Sequence, residues 1–248
     1  MSILVFLGIL TVLVIVHEAG HFFVARHFGI RVDEFGIGFP PKIKKLFRFR
    51  DTDFFLNSLP FGGYVKIYGE NPSVDDEHLR YAKDSFQSKS NGAKALVLSS
   101  GVIFNFIFAF LLLSLAFLSP FVGWEKFAFF TSETVKALFS LLYGAINGQA
   151  DFSAVVGPVG LVGLVGEVSA LGVKHLLIFT ALISINLGII NLMPLPALDG
   201  GRLLFITAEA LMRRPIPARV FNALNLSGFA ILVFLMILVT IRDIRGVF

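Results

Sequence analysis

The chain has 248 residues, 56% of them hydrophobic and 15% charged, with a net charge of +4 and no cysteine. A soluble domain would hold roughly 45–50% apolar and about 25% charged residues, so a water-soluble globular protein is excluded, as are a disulfide framework and a thiolate metal site. The basic excess is read as Lys/Arg on the cytoplasmic loops of a membrane protein. The lipid bilayer is therefore an expected partner and nucleic acid is not.

A membrane-crossing helix takes about 20 mostly apolar residues. In chain order, four segments qualify: about 3–24, 95–118, 176–195 and 221–241. The first has no Lys or Arg at its head and no small-residue cleavage site, so it reads as a retained span rather than a signal peptide. In the first loop, Lys42–Phe49 and Asp53–Tyr68 look extended. LPFGGYVKIYG, Leu59 to Gly69, carries a hairpin signal with a turn at Gly62-Gly63. Asn71 to Asn91 is polar and reads as a surface loop. Between the second and third spans, a helix over about Ser132–Asn147 and a loop around GPVG (Gly157–Gly160) are expected, with a fifth span as the alternative. The expected fold is an α-helical polytopic membrane protein with four transmembrane helices and a membrane-associated β-hairpin in the first cytoplasmic loop.

Loop charges set the orientation. Twelve Lys/Arg lie from Arg26 to Lys94, and Arg202, Arg213, Arg214 and Arg219 follow the third span, against only Lys126, Lys136 and Lys174 between spans two and three. The first and third loops are thus expected in the cytoplasm and both termini outside, although Arg242 and Arg245 count mildly against this.

The first span contains VIVHEAGHFF, an expensive place for ionisable groups unless something compensates. His17 and His21 stand at i and i+4 and share a helix face. With Glu18 they form the H-E-x-x-H pattern of zinc metalloproteases, two ligands and a general base. The alternative is a pair of histidines bonding to other helices. Catalytic zinc wants a third protein ligand. His27 lies about 280° round the helix from His17, His78 falls in the polar loop, and His175 falls at the outer end of the third span. Asp199, in NLMPLPALDGGR at the cytoplasmic end of that span, matches the histidines in depth. A helix cap or turn aspartate before Gly-Gly is the other reading of it.

These features resemble the site-2 protease family of intramembrane zinc metalloproteases, in particular the bacterial branch that includes the regulator of sigma-E protease. The landmarks are HEAGH, the run Val32 to Phe39, PFGGYVK, Gly101-x-x-x-Asn105, GPVG and NLGIINLMPLPALDGGR, in that order over nearly the whole chain. The resemblance implies that Asp199 is the third Zn2+ ligand and that Asn191 and Asn186 contact substrate backbone, interhelical hydrogen bonding being their alternative role. It also implies that the hairpin around Gly62, Gly63 and Tyr64 enters the membrane and offers its edge to substrate; Asn105 is counted with these substrate-binding positions. Gly101 reads as a helix-packing glycine. Many members carry a PDZ domain between spans two and three, but Ser119–His175 is too short for one. Residues 1–248 are therefore expected to form a single intramembrane metalloprotease domain.

The implied activity is zinc-dependent hydrolysis within the bilayer of single-span membrane proteins, such as anti-sigma factors or remnant signal peptides, in a bacterial inner (cytoplasmic) membrane. Glu18 would take a proton from water and return it to the leaving amine. The rival readings are a metal transporter, which would usually show more spans and an internal repeat, and an inactive scaffold that binds a partner helix.

Overall fold

The computed structural model describes residues 2–70, 82–149, 156–214 and 216–247. His78 and the 71–81 part of the polar loop lie outside the described residues. Seven α-helices and a small sheet follow one another among the described residues: α1 (Ser2–His27), β1 (Val32–Phe49), β2 (Thr52–Ile67), α2 (Asn91–Ala116), α3 (Pro120–Ile146), α4 (Pro158–Ala170), α5 (Val173–Leu192), α6 (Asp199–Met212) and α7 (Ala218–Val247). Among the described residues, α1, α2, α5 and α7 are long and apolar enough to cross a membrane. Their bounds fall within a few residues of the four expected spans. The third span ends at Leu192 rather than Leu195, because Pro194 and Pro196 cannot continue a helix.

Local chemistry sets the helix ends. At the end of α1 the Ile30 N–H reaches the Ala25 carbonyl (2.9 Å) and the Gly29 N–H reaches the Arg26 carbonyl (3.0 Å), with Gly29 at φ +65°. This is a Schellman closure, which needs a left-handed residue and favours glycine there. Ile30 then buries its side chain to 2% exposure beside Ala25. The start of α2 is capped by Ser90, whose Oγ accepts from the Ala93 N–H at 3.3 Å.

The chain divides into two compact units. The first comprises residues 1–6, 106–189 and 230–248. Its core joins Ala109 and Leu113 of α2 to Ala181, Ile185 and Ile189 of α5, with Phe127, Phe130, Val135 and Leu138 of α3 packed against them. Helix α3 begins at Pro120, well before the expected Ser132. Ser119 caps it, and proline is preorganised for a first helical position. Glu125 and Lys126 break the apolar run without breaking the helix. GPVG, expected as a loop, opens α4 instead. Gly157 is the N-cap, Pro158 follows it, and the Gly160 N–H donates to Asp243 Oδ2 of α7 at 2.9 Å. That carboxylate meets the positive end of the helix dipole.

The second unit comprises residues 7–105 and 190–229. Strands β1 and β2 pair antiparallel across a turn at Arg50-Asp51, with Phe49 opposite Thr52 and Lys42 opposite Asn57. Near the start of β1, Glu34–Ile37 lie opposite two stretches of β2, Asp53–Leu56 and Gly63–Lys66. Asp53–Leu56 in turn lie opposite Lys44–Arg48, so locally the sheet has four rows, with Gly63–Ile67 at one edge. Gly62-Gly63 is not a tight hairpin turn but a bend inside β2. Gly62 sits at φ +80°, and a Cβ there would run into the Phe39 ring. The sheet packs on α1 through aromatic rings: Phe22 meets Phe35 and Phe54 edge-on at 5.7 and 5.9 Å, and Phe47 stacks on Phe54 at 4.4 Å.

One ionic contact gives the sheet a pH dependence. Glu34 takes Lys42 Nζ at 2.6 Å and the Tyr64 hydroxyl at 2.9 Å. Burial pushes the Glu34 carboxyl up, but these two hydrogen bonds outweigh it and hold the group below its usual value. Burial and the bond to Glu34 push the Tyr64 hydroxyl up to about 12, so it remains a donor. A depressed carboxyl contributes stability above its unfolded pKa and loses it as pH falls through the folded value. The thermal midpoint in detergent should therefore be higher for wild type than for Glu34→Gln at neutral pH. The gap should close as pH falls below the ordinary glutamate value of about 4.3.

Candidate active site

His17 and His21 lie one turn apart on α1, each 7% exposed, and their Nε2 atoms are 3.2 Å apart. Asp199, the first residue of α6, brings Oδ2 to 3.0 Å from His17 Nε2 and 3.3 Å from His21 Nε2. Among the described residues this is the one group of His, Cys, Asp and Glu placed to share a metal ion. A tetrahedral ion with ligands at about 2.0–2.1 Å needs them roughly 3.3 Å apart, and the three edges of this triangle match.

The protonation pattern supports the same conclusion. His21 Nδ1 lies 2.8 Å from the Val97 carbonyl, which can only accept, so Nδ1 carries the proton. Nε2 then turns a lone pair toward the Asp199 carboxylate, and two acceptors face one another at a distance that calls for a cation between them. The side-chain amide of Asn105 lies 3.1 Å from His17 Nδ1. Turned with its oxygen toward the ring, an exchange that a half-rotation of the amide accomplishes, it fixes the same tautomer in His17.

The loop before Asp199 is held from α7. Ala197 takes a left-handed conformation (φ +73°), and its N–H donates to Asn225 Oδ1 at 3.1 Å. Gly200 and Gly201 pack directly on the carbonyls of Leu192, Met193 and Leu195, where a Cβ would collide. Gly228 of α7 does the same against Pro196.

Glu18 faces the sheet. The backbone N–H of Val65 donates to its carboxylate, and a Cβ placed on Gly63 would lie 3.8 Å from Glu18 Cγ and 3.5 Å from Val14 Cγ1. The outermost row of the sheet thus runs past the glutamate, with glycine where a side chain would intrude. Tyr64, next along this row, is turned to Glu34.

The other residues expected to function are placed as follows. Asn191 is half-buried in the last turn of α5. Asn186 is exposed on α5, where the Thr134 hydroxyl donates to its side-chain carbonyl at 3.1 Å. Asn105 is fully buried against His17, leaving no surface for a substrate. His27 and His175 stand outside the trio. Gly101 is more than a packing glycine: a Cβ there would lie 2.5 Å from His21 Nε2 and 2.7 Å from His17 Nε2. It shares with Asn105 the same i, i+4 spacing as the two histidines, a signal present in the sequence. Arg202, counted among the loop charges that set topology, is paired with Glu70.

Four membrane-crossing helices, with a His–His–Asp trio beside a glutamate, make this a multi-pass membrane protein equipped as a metallopeptidase. The chain belongs to peptidase family M50, the site-2 protease family, whose sequence signature spans residues 5–235. It is 28% identical to a Clostridium perfringens protein named as a zinc metalloprotease, over 94% of this chain and 95% of that one. The zinc metalloproteases RasP of Oceanobacillus iheyensis and Geobacillus kaustophilus are 43% and 42% identical over 48% of this chain and 28% of their own lengths. The Clostridium alignment runs over 325 positions, so about 90 residues of that relative face gaps here. No PDZ domain is evident in this chain.

Proposed function

We propose that residues 1–248 act as one intramembrane endopeptidase domain with the first and third loops in the cytoplasm and both termini outside, in a bacterial inner membrane. Its substrates are single-span membrane proteins, the anti-sigma and remnant-signal-peptide classes among them. Zn2+ is the cofactor, and His17, His21 and Asp199 hold it. When bound, zinc supplies a Lewis acid that acidifies water and polarises a carbonyl. The observation that carries this reading is the triangle of His17, His21 and Asp199 ligand atoms, with Glu18 one residue along the same helix.

The remaining roles belong to the chain. Glu18 accepts a proton from the attacking water and returns it to the leaving amide nitrogen. A substrate helix hides its peptide bonds in its own hydrogen bonds, so it must unwind, and an extended segment can pair with the outer row Gly63–Ile67 as an added strand. Gly62 bends that row into place, Gly63 keeps it flush beside Glu18, and Tyr64 ties it to Glu34. Asn191 and Asn186 bind substrate backbone. Asn105 orients His17 from behind rather than touching substrate.

The test is purified protein in detergent with a single-span substrate whose products are mapped by mass spectrometry. A metal chelator should abolish cleavage, zinc should restore it, and the cut should fall inside the apolar span. Cleavage that persists in metal-free protein would sink the proposal.

A further inference from the structure

Glu70 and Arg202 are 132 residues apart in sequence, yet Arg202 Nη1 donates to Glu70 Oε1. Only 12% of the glutamate side chain and 25% of the arginine side chain are exposed. A pair so enclosed leaves an uncompensated charge when either partner is removed, so its position is constrained from both sides.

Each partner is anchored close to a different part of the proposed catalytic apparatus. Glu70 follows the end of β2 by three residues. The turn that carries it is closely held: the Tyr68 N–H bonds the Arg31 carbonyl at 2.9 Å, and the Phe86 N–H bonds the Tyr68 carbonyl at 2.9 Å. The Arg31 guanidinium covers the Tyr68 ring at 3.7 Å. Upstream on the same strand is the Gly63–Val65 row that lies against Glu18. Arg202 stands three residues after Asp199 on α6, one helical turn away. The first turn of that helix has no side-chain padding beneath it, because Gly200 and Gly201 sit on backbone carbonyls.

We propose that the Arg202–Glu70 ion pair is a positioning clamp: it ties the first turn of α6, with Asp199, to the end of β2, so that a metal ligand and the strand beside Glu18 are held in register by one contact. This rests on the reading of His17, His21 and Asp199 as zinc ligands. Neither residue touches substrate or metal; both act through the elements that do.

The experiment measures zinc affinity of the full-length protein by chelator competition, alongside substrate cleavage and thermal melting, for Arg202→Ala, Glu70→Ala, the double alanine variant and the charge swap Glu70→Arg/Arg202→Glu. Outer contacts that orient ligands change metal affinity or activity by about 10–100-fold. Each single variant should therefore weaken zinc about tenfold. The double variant should be no worse than either single, since partners acting as a unit do not add, and the swap should recover a large part of the loss. Should a single variant fail to fold, Arg202→Lys and Glu70→Gln carry the test, with zinc weakened about threefold or more expected.

Zinc affinity within twofold of wild type in correctly folded variants would overturn the clamp, and would do so whether or not the wild type cleaves. Zinc weakened in the singles and recovered in the swap, in a protein that cleaves no membrane substrate, would uphold the clamp and sink the peptidase reading instead.

Discussion

Glu18→Gln should bind zinc as wild type does and cleave its substrate about 10²–10⁴-fold more slowly. The substitution replaces one carboxylate oxygen with an amide nitrogen and leaves the shape unchanged. Glu18 is outside the triangle of ligand atoms, which His17, His21 and Asp199 complete. The remaining amide oxygen can still accept the Val65 N–H that the carboxylate accepts now, so the strand beside it stays in place. What is lost is basicity, and with it the proton transfer. The loss should therefore lie in kcat, with KM little changed. Metal content by elemental analysis and single-turnover cleavage in detergent check both halves. Normal turnover in the variant would remove Glu18 from its role.

The second large effect is expected at Gly101. Alanine there places a methyl carbon 2.5 Å from His21 Nε2 and 2.6 Å from His17 Cε1, inside van der Waals contact. Something must shift, and the imidazoles have little room: His21 is held by the Val97 carbonyl and His17 by Asn105. We expect Gly101→Ala to lower zinc affinity at least tenfold, the lower end of the 10–100-fold range for disturbed ligand geometry, and cleavage with it. Gly92→Ala, on the same helix with nothing within 4 Å of its Cβ position, is the control. It should keep zinc and gain a little stability from the higher helix propensity of alanine, about 1 kcal/mol at most. Equal zinc content in wild type and Gly101→Ala would mean that the glycine serves helix packing alone.

How far the sequence could be read follows the range of each signal. The four spans were legible because a long apolar run is a local property of some twenty residues. HEAGH was legible because i, i+4 spacing on one helix is local too. Helix α3 was read too short because Glu125 and Lys126 lower apolarity, although they do nothing to helix geometry. GPVG looked like a loop because glycine and proline are read as punctuation; its partner, Asp243, lies 83 residues away. The double pairing of Glu34–Ile37 has no local mark, since each row of β2 alternates as any strand would. Depth in the membrane makes Asp199 a candidate and leaves a cap or turn aspartate as the other reading, and only the resemblance to the site-2 proteases implies the ligand; Gly101 is underestimated because a missing side chain shows its purpose only when its neighbour is known.

The tether between Ala197 and Asn225 has a consequence for biogenesis. His17 and His21 leave the ribosome early, Asp199 late, and the α7 residue that steadies the Asp199 loop later still. A chain whose α7 has not yet emerged holds all three proposed ligands but lacks the contact that orders the third. Peptidase competence would thus be acquired only once α7 has been made, after the helices that carry the proposed ligands are in place. A hydrolase that forms within the membrane it acts on would in this way stay silent while it is being made.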